Sequence, residues 1–157
     1  MLLYTGSMDK TIKSWDLALN ECTRTFKGHT EGVQCVKLLS NYLLASGSCD
    51  KTIRIWKISS GESLKTLSGH ASPIQNLELT RYNELISCSA DCTIRMWNIN
   101  EGKCIQILNE HSEAVWCIKM NWNDQFQSGS NGRLFSGSND KTLKVLNWYF
   151  LVLKIYF

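Results

Sequence analysis

Proline is almost missing from this sequence of 157 residues, and no low-complexity tract occurs in it. Both absences argue for a folded globular chain and against a linker or disordered segment. No secretory signal is visible, because polar and charged residues interrupt any apolar core in residues 1–15. No apolar run reaches the ~20 residues needed to cross a bilayer as a helix. The most apolar stretch, Trp148–Phe157, is short and broken by Lys154. No basic cluster appears either. The net charge is +3 with Lys and Arg scattered, which gives no electrostatic stripe for nucleic acid. There is no CxxC among the seven cysteines, and their number is odd. Free, mostly packed thiols in a reducing compartment are therefore expected, with cytoplasmic localisation and the nucleus not excluded. A zinc site at Cys88 and Cys92 lacks two further ligands at a usual spacing, so no metal or cofactor is expected.

What the sequence has in abundance is repetition. The strings TGSMDKTIKSW, SGSCDKTIRIW, SCSADCTIRMW and SGSNDKTLKVL recur along it, the last ending in Leu146 where the others end in Trp. His29, His70 and His111 are 41 residues apart (70 − 29 and 111 − 70). Asp9, Asp50 and Asp91 keep the same step, as do Trp15, Trp56 and Trp97. The step from Asp91 to Asp140 is 49 (140 − 91), so eight residues (49 − 41) are inserted, and the polar stretch Asn123–Asn131 is the candidate loop.

Within one period, residues 32–38, 42–46, 52–56 and 63–67 are short β-branched, aromatic or aliphatic runs separated by Gly, Asn, Asp and Ser. The pairs Ile53/Ile55 and Ile94/Met96 alternate with arginines, which is the period of a strand. Four short strands per 41 residues predict an all-β chain of four-stranded antiparallel blades.

The Gly-His pairs at Gly28-His29 and Gly69-His70, the Ser-x-x-x-Asp turns and the Trp six residues after each Asp together resemble the WD-repeat family over residues 1–147. The third pair reads Glu110-His111, and the closing dipeptide survives as WD only at Trp15-Asp16. The resemblance implies an incomplete β-propeller forming an open ring. Its parts are a half repeat at 1–17 and repeats at 22–57, 63–98 and 104–147, followed by an apolar tail of uncertain origin at 148–157. Such rings usually have seven blades, and about three and a half are counted here. The chain is expected to begin inside a repeat, with Leu2–Thr5 already the second strand of a blade.

The resemblance also assigns the repeated polar residues to a structural hydrogen-bond network. Its sets are His29, Ser46, Asp50 and Trp56; His70, Ser87, Asp91 and Trp97; His111, Ser136 and Asp140 with Leu146; and Thr5, Asp9 and Trp15. The competing reading is a hydrolytic Ser-His-Asp triad. An enzyme needs one such constellation beside a cleft, whereas every repeat carries one, and no phosphate-cradling loop or unique nucleophile stands out. A non-enzymatic protein-interaction scaffold is expected, with partners that are other proteins and with possible self-association through open blade edges. The alternative is a truncated gene product, or a piece of a larger WD-repeat protein, with no independent function. Candidate partner-binding positions lie before each turn Asp (Met8, Cys49, Ala90 and Asn139) and after each His. The latter are Glu31, Ser72 and Glu113, and Gln34, Gln75 and Trp116. Trp116 stands where the other two complete repeats have Gln, and suits either an anchor for a partner or a filler of the channel wall.

Overall fold

A computed structural model of the chain describes residues 1–121 and 132–147. The inserted loop expected at 123–131 and the apolar stretch 148–157 lie outside the described residues. Among the described residues there are fourteen strands and no helix. They form four antiparallel sheets in sequence order. The first contains β1 (Leu2–Gly6), β2 (Thr11–Asp16) and β3 (Glu21–Lys27). The second contains β4 (Val33–Leu38), β5 (Leu43–Ser48), β6 (Ile53–Lys57) and β7 (Ser63–Leu67). The third contains β8 (Ile74–Leu79), β9 (Glu84–Ser89), β10 (Ile94–Asn98) and β11 (Lys103–Leu108). The fourth contains β12 (Val115–Asn121), β13 (Arg133–Ser138) and β14 (Leu143–Asn147).

The two complete sheets are the predicted four-stranded blades. Each ends on a strand that the sequence repeat places at the start of its next copy, so the repeats at 22–57 and 63–98 are offset from the sheets by one strand. That offset links successive sheets covalently. The sheets fan around an inner edge at which β4 packs on β8 and β8 on β12, while β1 packs on β4. β1 is the second strand of its blade type, as its pairing with β2 through Leu3↔Trp15 and Thr5↔Lys13 requires.

Burial follows this stacking. β5 and β9 are central strands covered on both faces, and their Ala45, Ser46, Gly47, Ser87, Cys88 and Ser89 are small because another sheet lies directly over them. A Cβ added at Gly47 would come within 2.5 Å of Ile74 in the third sheet. Three apolar layers result, each shared between neighbouring sheets. Ile12 and Phe26 meet Leu44 and Trp56; Ile53 and Leu67 meet Leu85, Trp97 and Ile99; Ile94 meets Leu134, with Leu108 and Leu146 packed alongside. The apolar layers lie between sheets, so no single sheet holds a core of its own. All seven cysteines are free; Cys22 and Cys117 are exposed, so the packed thiols are the other five.

One buried charge crosses the inner edge. Glu78 on β8 is buried, and its two carboxylate oxygens accept from Lys37 on β4 and, at 2.9 Å, from Lys119 on β12. Burial pushes its carboxyl up, but the two ammonium groups outweigh this and hold it below the usual carboxylate range. These residues also step by 41 (78 − 37 and 119 − 78), so the repeat places opposite charges side by side on three strands.

Leu146 occupies the Trp position of the fourth sheet and is only half-buried, whereas Trp56 and Trp97 are each 1% exposed. Its sheet loses both ring packing and an indole donor. Hydrogen exchange is expected to show Glu84–Asn98 better protected than Arg133–Asn147, by about 1–3 kcal/mol in opening free energy. Greater protection of the fourth sheet would contradict this account.

Candidate functional site

The repeated polar residues converge between strands. His29 lies in the loop before β4, Ser46 lies on β5, Asp50 in the turn from β5 to β6, and Trp56 on β6. His29 Nδ1 lies 2.7 Å from Asp50 Oδ2, and His29 Nε2 lies 2.7 Å from Ser46 Oγ. Trp56 Nε1 donates to the same Ser46 Oγ at 2.8 Å. Because the indole can only donate, the serine hydroxyl accepts from it and has its own proton for His29 Nε2. The imidazole is then neutral and donates through Nδ1 to the carboxylate. The second set is superimposable in its distances: His70–Asp91 2.7 Å, His70–Ser87 2.7 Å and Trp97–Ser87 2.8 Å. In the fourth sheet His111 meets Asp140 at 2.7 Å and Ser136 at 2.8 Å, and Leu146 has no proton to give. The first sheet keeps the two ends of the chain of bonds: Trp15 Nε1 donates to Thr5 Oγ1 at 2.9 Å, and Asp9 accepts from Thr11.

The turn completes the carboxylate's partners. Asp50 Oδ1 accepts from the Thr52 amide at 3.0 Å and the Thr52 hydroxyl at 2.6 Å, while the Thr30 amide reaches Oδ2 at 3.1 Å. Burial pushes the Asp50 carboxyl up, but bonds from Thr52, His29 and the amides prevail and bring it down to about 2. Asp91 is likewise held near 2. Burial pulls His29 and His70 below the usual imidazole range, with the facing carboxylates opposing it in part. Both shifts make the neutral imidazole and charged carboxylate the folded pair.

Atom for atom, serine to imidazole to carboxylate is the order of a hydrolytic triad. Here its serines are sealed. Ser46 and Ser87 are 0% exposed and Ser136 is 1% exposed. In the second and third sheets the hydroxyl is further capped by an indole. No substrate carbonyl reaches these oxygens without opening the sheet, so the arrangement fastens loop to strand. Among the described residues no group of three or more His, Cys, Asp or Glu is placed to hold a metal ion.

The network brings in arginines that the sequence pattern does not single out. Arg54 lies over the Trp56 ring, and a Cβ on Gly28 would come within 3.1 Å of both Arg54 Nη1 and Trp56 Cη2. Gly69 stands under Arg95 and Trp97 at 3.0 and 3.3 Å in the same way. This explains the glycine before each histidine: the indole and guanidinium occupy the space of a side chain. In the last repeat Glu110 replaces the glycine, Lys144 the arginine and Leu146 the tryptophan, and the Lys144 ammonium reaches the Glu110 carbonyl. The glycine and the tryptophan change together, while a lysine at the arginine position also stands beside the retained Trp15 in the first sheet, as Lys13.

The candidate partner-binding residues share the loop side of the sheets. A β-bulge between Val33 and Cys35 ejects Gln34 from the ladder, and equivalent bulges eject Gln75 and Trp116. Trp116 is 51% exposed and its Nε1 donates to Asn139 Oδ1 at 2.7 Å, so the ring is steadied without being covered. Gln34 contacts Cys49 across the same pair of positions, at 3.0 Å. Met8, Glu31, Glu113 and Asn139 are also exposed. Cys49, Ser72, Gln75 and Ala90 are only partly accessible. Backbone bonds hold their loops together, Cys49 to Gly32 and Ala90 to Pro73, and the Ser72 carbonyl takes the Ser89 hydroxyl.

Two outcomes follow from the network. The aspartates' lowered values mean that their stabilisation is full above about pH 4 and is lost as pH falls toward about 2. The histidines' lowered values act in the same direction, because below about pH 6.5 the unfolded chain takes up protons that the folded one refuses. Urea midpoints at pH 7, 5 and 3 should therefore fall in that order, and a midpoint that rises on acidification would contradict the neutral-histidine assignment. In the fourth sheet, Leu146→Trp combined with Glu110→Gly should raise stability by about 1–3 kcal/mol. Leu146→Trp alone should gain less, because an indole there would crowd the Glu110 Cβ, as a Cβ built at Gly28 or Gly69 crowds Trp56 or Trp97 at 3.1 and 3.3 Å. Equal gains with and without Glu110→Gly in a double-mutant cycle would break the proposed coupling.

Comparison with known proteins agrees with this geometry. The model for the WD domain, G-beta repeat, matches residues 1–16, 20–57, 61–98 and 102–147. Over 37 residues the chain is 46% identical to WD repeat-containing protein pop1 of Schizosaccharomyces pombe, covering 24% of this chain and 5% of that protein. Over 35 residues it is 51% identical to myosin heavy chain kinase C of Dictyostelium discoideum, covering 22% of this chain and 4% of the other. The crystal structure of the WD40 β-propeller domain of Doa1 superimposes with a TM-score of 0.82 at 27% identity, covering 92% of this chain and 46% of that one. The chain thus spans a small part of its curated relatives and just under half of that propeller. With the network, the stacked sheets and the four matched repeats together, the chain belongs to the WD-repeat family.

Proposed function

We propose that the chain is a non-enzymatic scaffold that binds other proteins through the loop side of its sheets, in a reducing, cytoplasmic setting. The observation that carries this is Trp116. A bulge common to three sheets lifts this position out of the ladder, and only in the last repeat is it aromatic. Half of its surface is open while its nitrogen is held by Asn139. A large ring with its orientation fixed in advance contributes apolar contact at little entropic cost, as hot-spot residues do. Glu31 and Glu113 flank this side with negative charge and Gln34 with a hydrogen-bonding amide, which supports a polypeptide partner with mixed polar and apolar contacts.

A second reading is supported by the 46% coverage of the Doa1 propeller. In it the chain contributes sheets to a larger ring, through self-association or with other sheets, and has no independent function. Static light scattering separates the two. A monodisperse monomer favours the scaffold, and polydisperse aggregate favours the dependent part.

Trp116→Ala should reduce capture of partner proteins by affinity purification at least tenfold while shifting the urea midpoint little. Its ring closes no apolar layer between sheets. Unchanged capture together with unchanged stability would refute a role for Trp116 in partner binding.

A further inference from the structure

Four tryptophans lie among the described residues, and three of them have a cation beside the ring. Lys13 Nζ lies 5.9 Å from the Trp15 ring centre, and the Arg54 guanidinium carbon lies 6.0 Å from that of Trp56. Arg95 stands with Trp97 against Gly69. In each case the cation is two residues earlier on the same strand. Trp116 breaks this rule. Two residues before it stands Ala114, and among the described residues no cation lies over its ring. Three residues before it stands Glu113, which is exposed and has no ion pair among the described residues.

This corner is held in shape by its own bonds. Ser138 Oγ donates to the Glu113 carbonyl at 3.0 Å, and the Asn139 amide donates to the Ala114 carbonyl at 3.0 Å. Trp116 Nε1 donates to Asn139 Oδ1 at 2.7 Å. Loop, bulge and turn are thus one unit. With its single N–H used, the half-exposed indole has its π face to offer. The opening belongs to the position in the blade: Gln34, at the same bulge of the second sheet, is exposed although a sheet packs on each side of it. The combination belongs to the fourth sheet alone. The second sheet has Glu31 with Gln34 and Cys49, and the third has Ser72 with Gln75 and Ala90.

An electron-rich ring face and an unpaired carboxylate on one clamped loop attract a cation, and a planar cation satisfies both. We propose that the Trp116–Glu113 corner receives an arginine side chain of the partner polypeptide, its guanidinium stacked on the indole and bonded to the Glu113 carboxylate. The inference rests on the scaffold reading and names the partner chemistry of that same surface. The pinned ring loses little freedom on binding. The carboxylate accepts guanidinium N–H groups in parallel pairs, a geometry an ammonium group does not provide. Lys141, in the same turn as Asn139, forms no ion pair with Glu113, so the carboxylate is open to a partner.

The test is a titration of the isotope-labelled 157-residue chain, followed by its indole N–H resonances in heteronuclear NMR spectra, with that of Trp116 assigned through Trp116→Phe. The probes are capped pentapeptides Gly-Ala-X-Ala-Gly in which X is arginine, lysine or the uncharged isostere citrulline. The arginine peptide should shift the Trp116 resonance saturably and leave those of the buried Trp56 and Trp97 in place. It should bind about threefold or more tighter than the lysine peptide, and the citrulline peptide should show no saturable shift. Glu113→Gln should weaken the arginine peptide about threefold or more, whereas Glu62→Gln, at the opposite end of the second sheet, should leave it unchanged. Both glutamates are exposed and belong to no apolar layer, so these variants should fold. Absence of a saturable shift, equal binding of arginine and either control peptide, or full binding by Glu113→Gln would overturn the arginine site. Partner capture that still falls in Trp116→Ala would then leave the loop-side reading standing, so the two failures are read separately.

Discussion

A carboxylate drawn out of water in the turn of a β-blade must be surrounded by donors, and that requirement organises this chain. Asp50 meets it with a histidine from the preceding loop, two groups of Thr52 and the Thr30 amide. Because His29 comes before the first strand of the blade and Asp50 after the second, satisfying the charge fixes the loop against the turn. Ser46 and Trp56 then extend the same chain of bonds to the third strand. Local geometry and blade assembly are set by one continuous path of protons. The neutral histidine is a consequence, since burial disfavours its charge while the aspartate still needs its N–H.

The apolar layers depend on this arrangement. Each Trp is fixed at its nitrogen, so its ring is presented to the neighbouring sheet in one orientation, against Phe26 in one case and with Leu67 in the same layer in the other. In the second and third sheets the glycine before the histidine, with Arg54 or Arg95 beside the indole, completes the fit. Where the tryptophan becomes leucine, the glycine changes with it. The coupling is steric: the space an indole vacates is the space a side chain at position 110 requires.

Function separates from this framework. The buried polar residues repeat in the second, third and fourth sheets and tie loop to strand there, whereas accessible positions differ from repeat to repeat. Trp116 belongs to the second kind, ejected by a bulge that all three complete inner strands share. Chemistry resembling catalysis can thus sit in a protein as a fastener. What separates the two roles is access to the serine, and here it is closed.

Much of this was legible in the residues alone. The 41-residue step of His, Asp and Trp set the strand count, the blade type and the membership of the hydrogen-bonded sets, because such a network requires the same residue types at the same spacing each time. The turn residues and alternating apolar positions located the strands to within a residue or two. The Lys37–Glu78–Lys119 ladder was present in the same step yet carries no signal as isolated charges. The bulges were equally silent, since nothing in Gln34, Gln75 or Trp116 announces that the strand skips them. Which turn residues are partly covered, and which tryptophan remains open, depends on whether another sheet lies against it. Trp15, Trp56 and Trp97 share one local sequence and differ in burial, because among the described residues the second and third sheets have a neighbour over that face and the first does not. Repetition determined the unit, and only the stacking of units decided what each copy exposes.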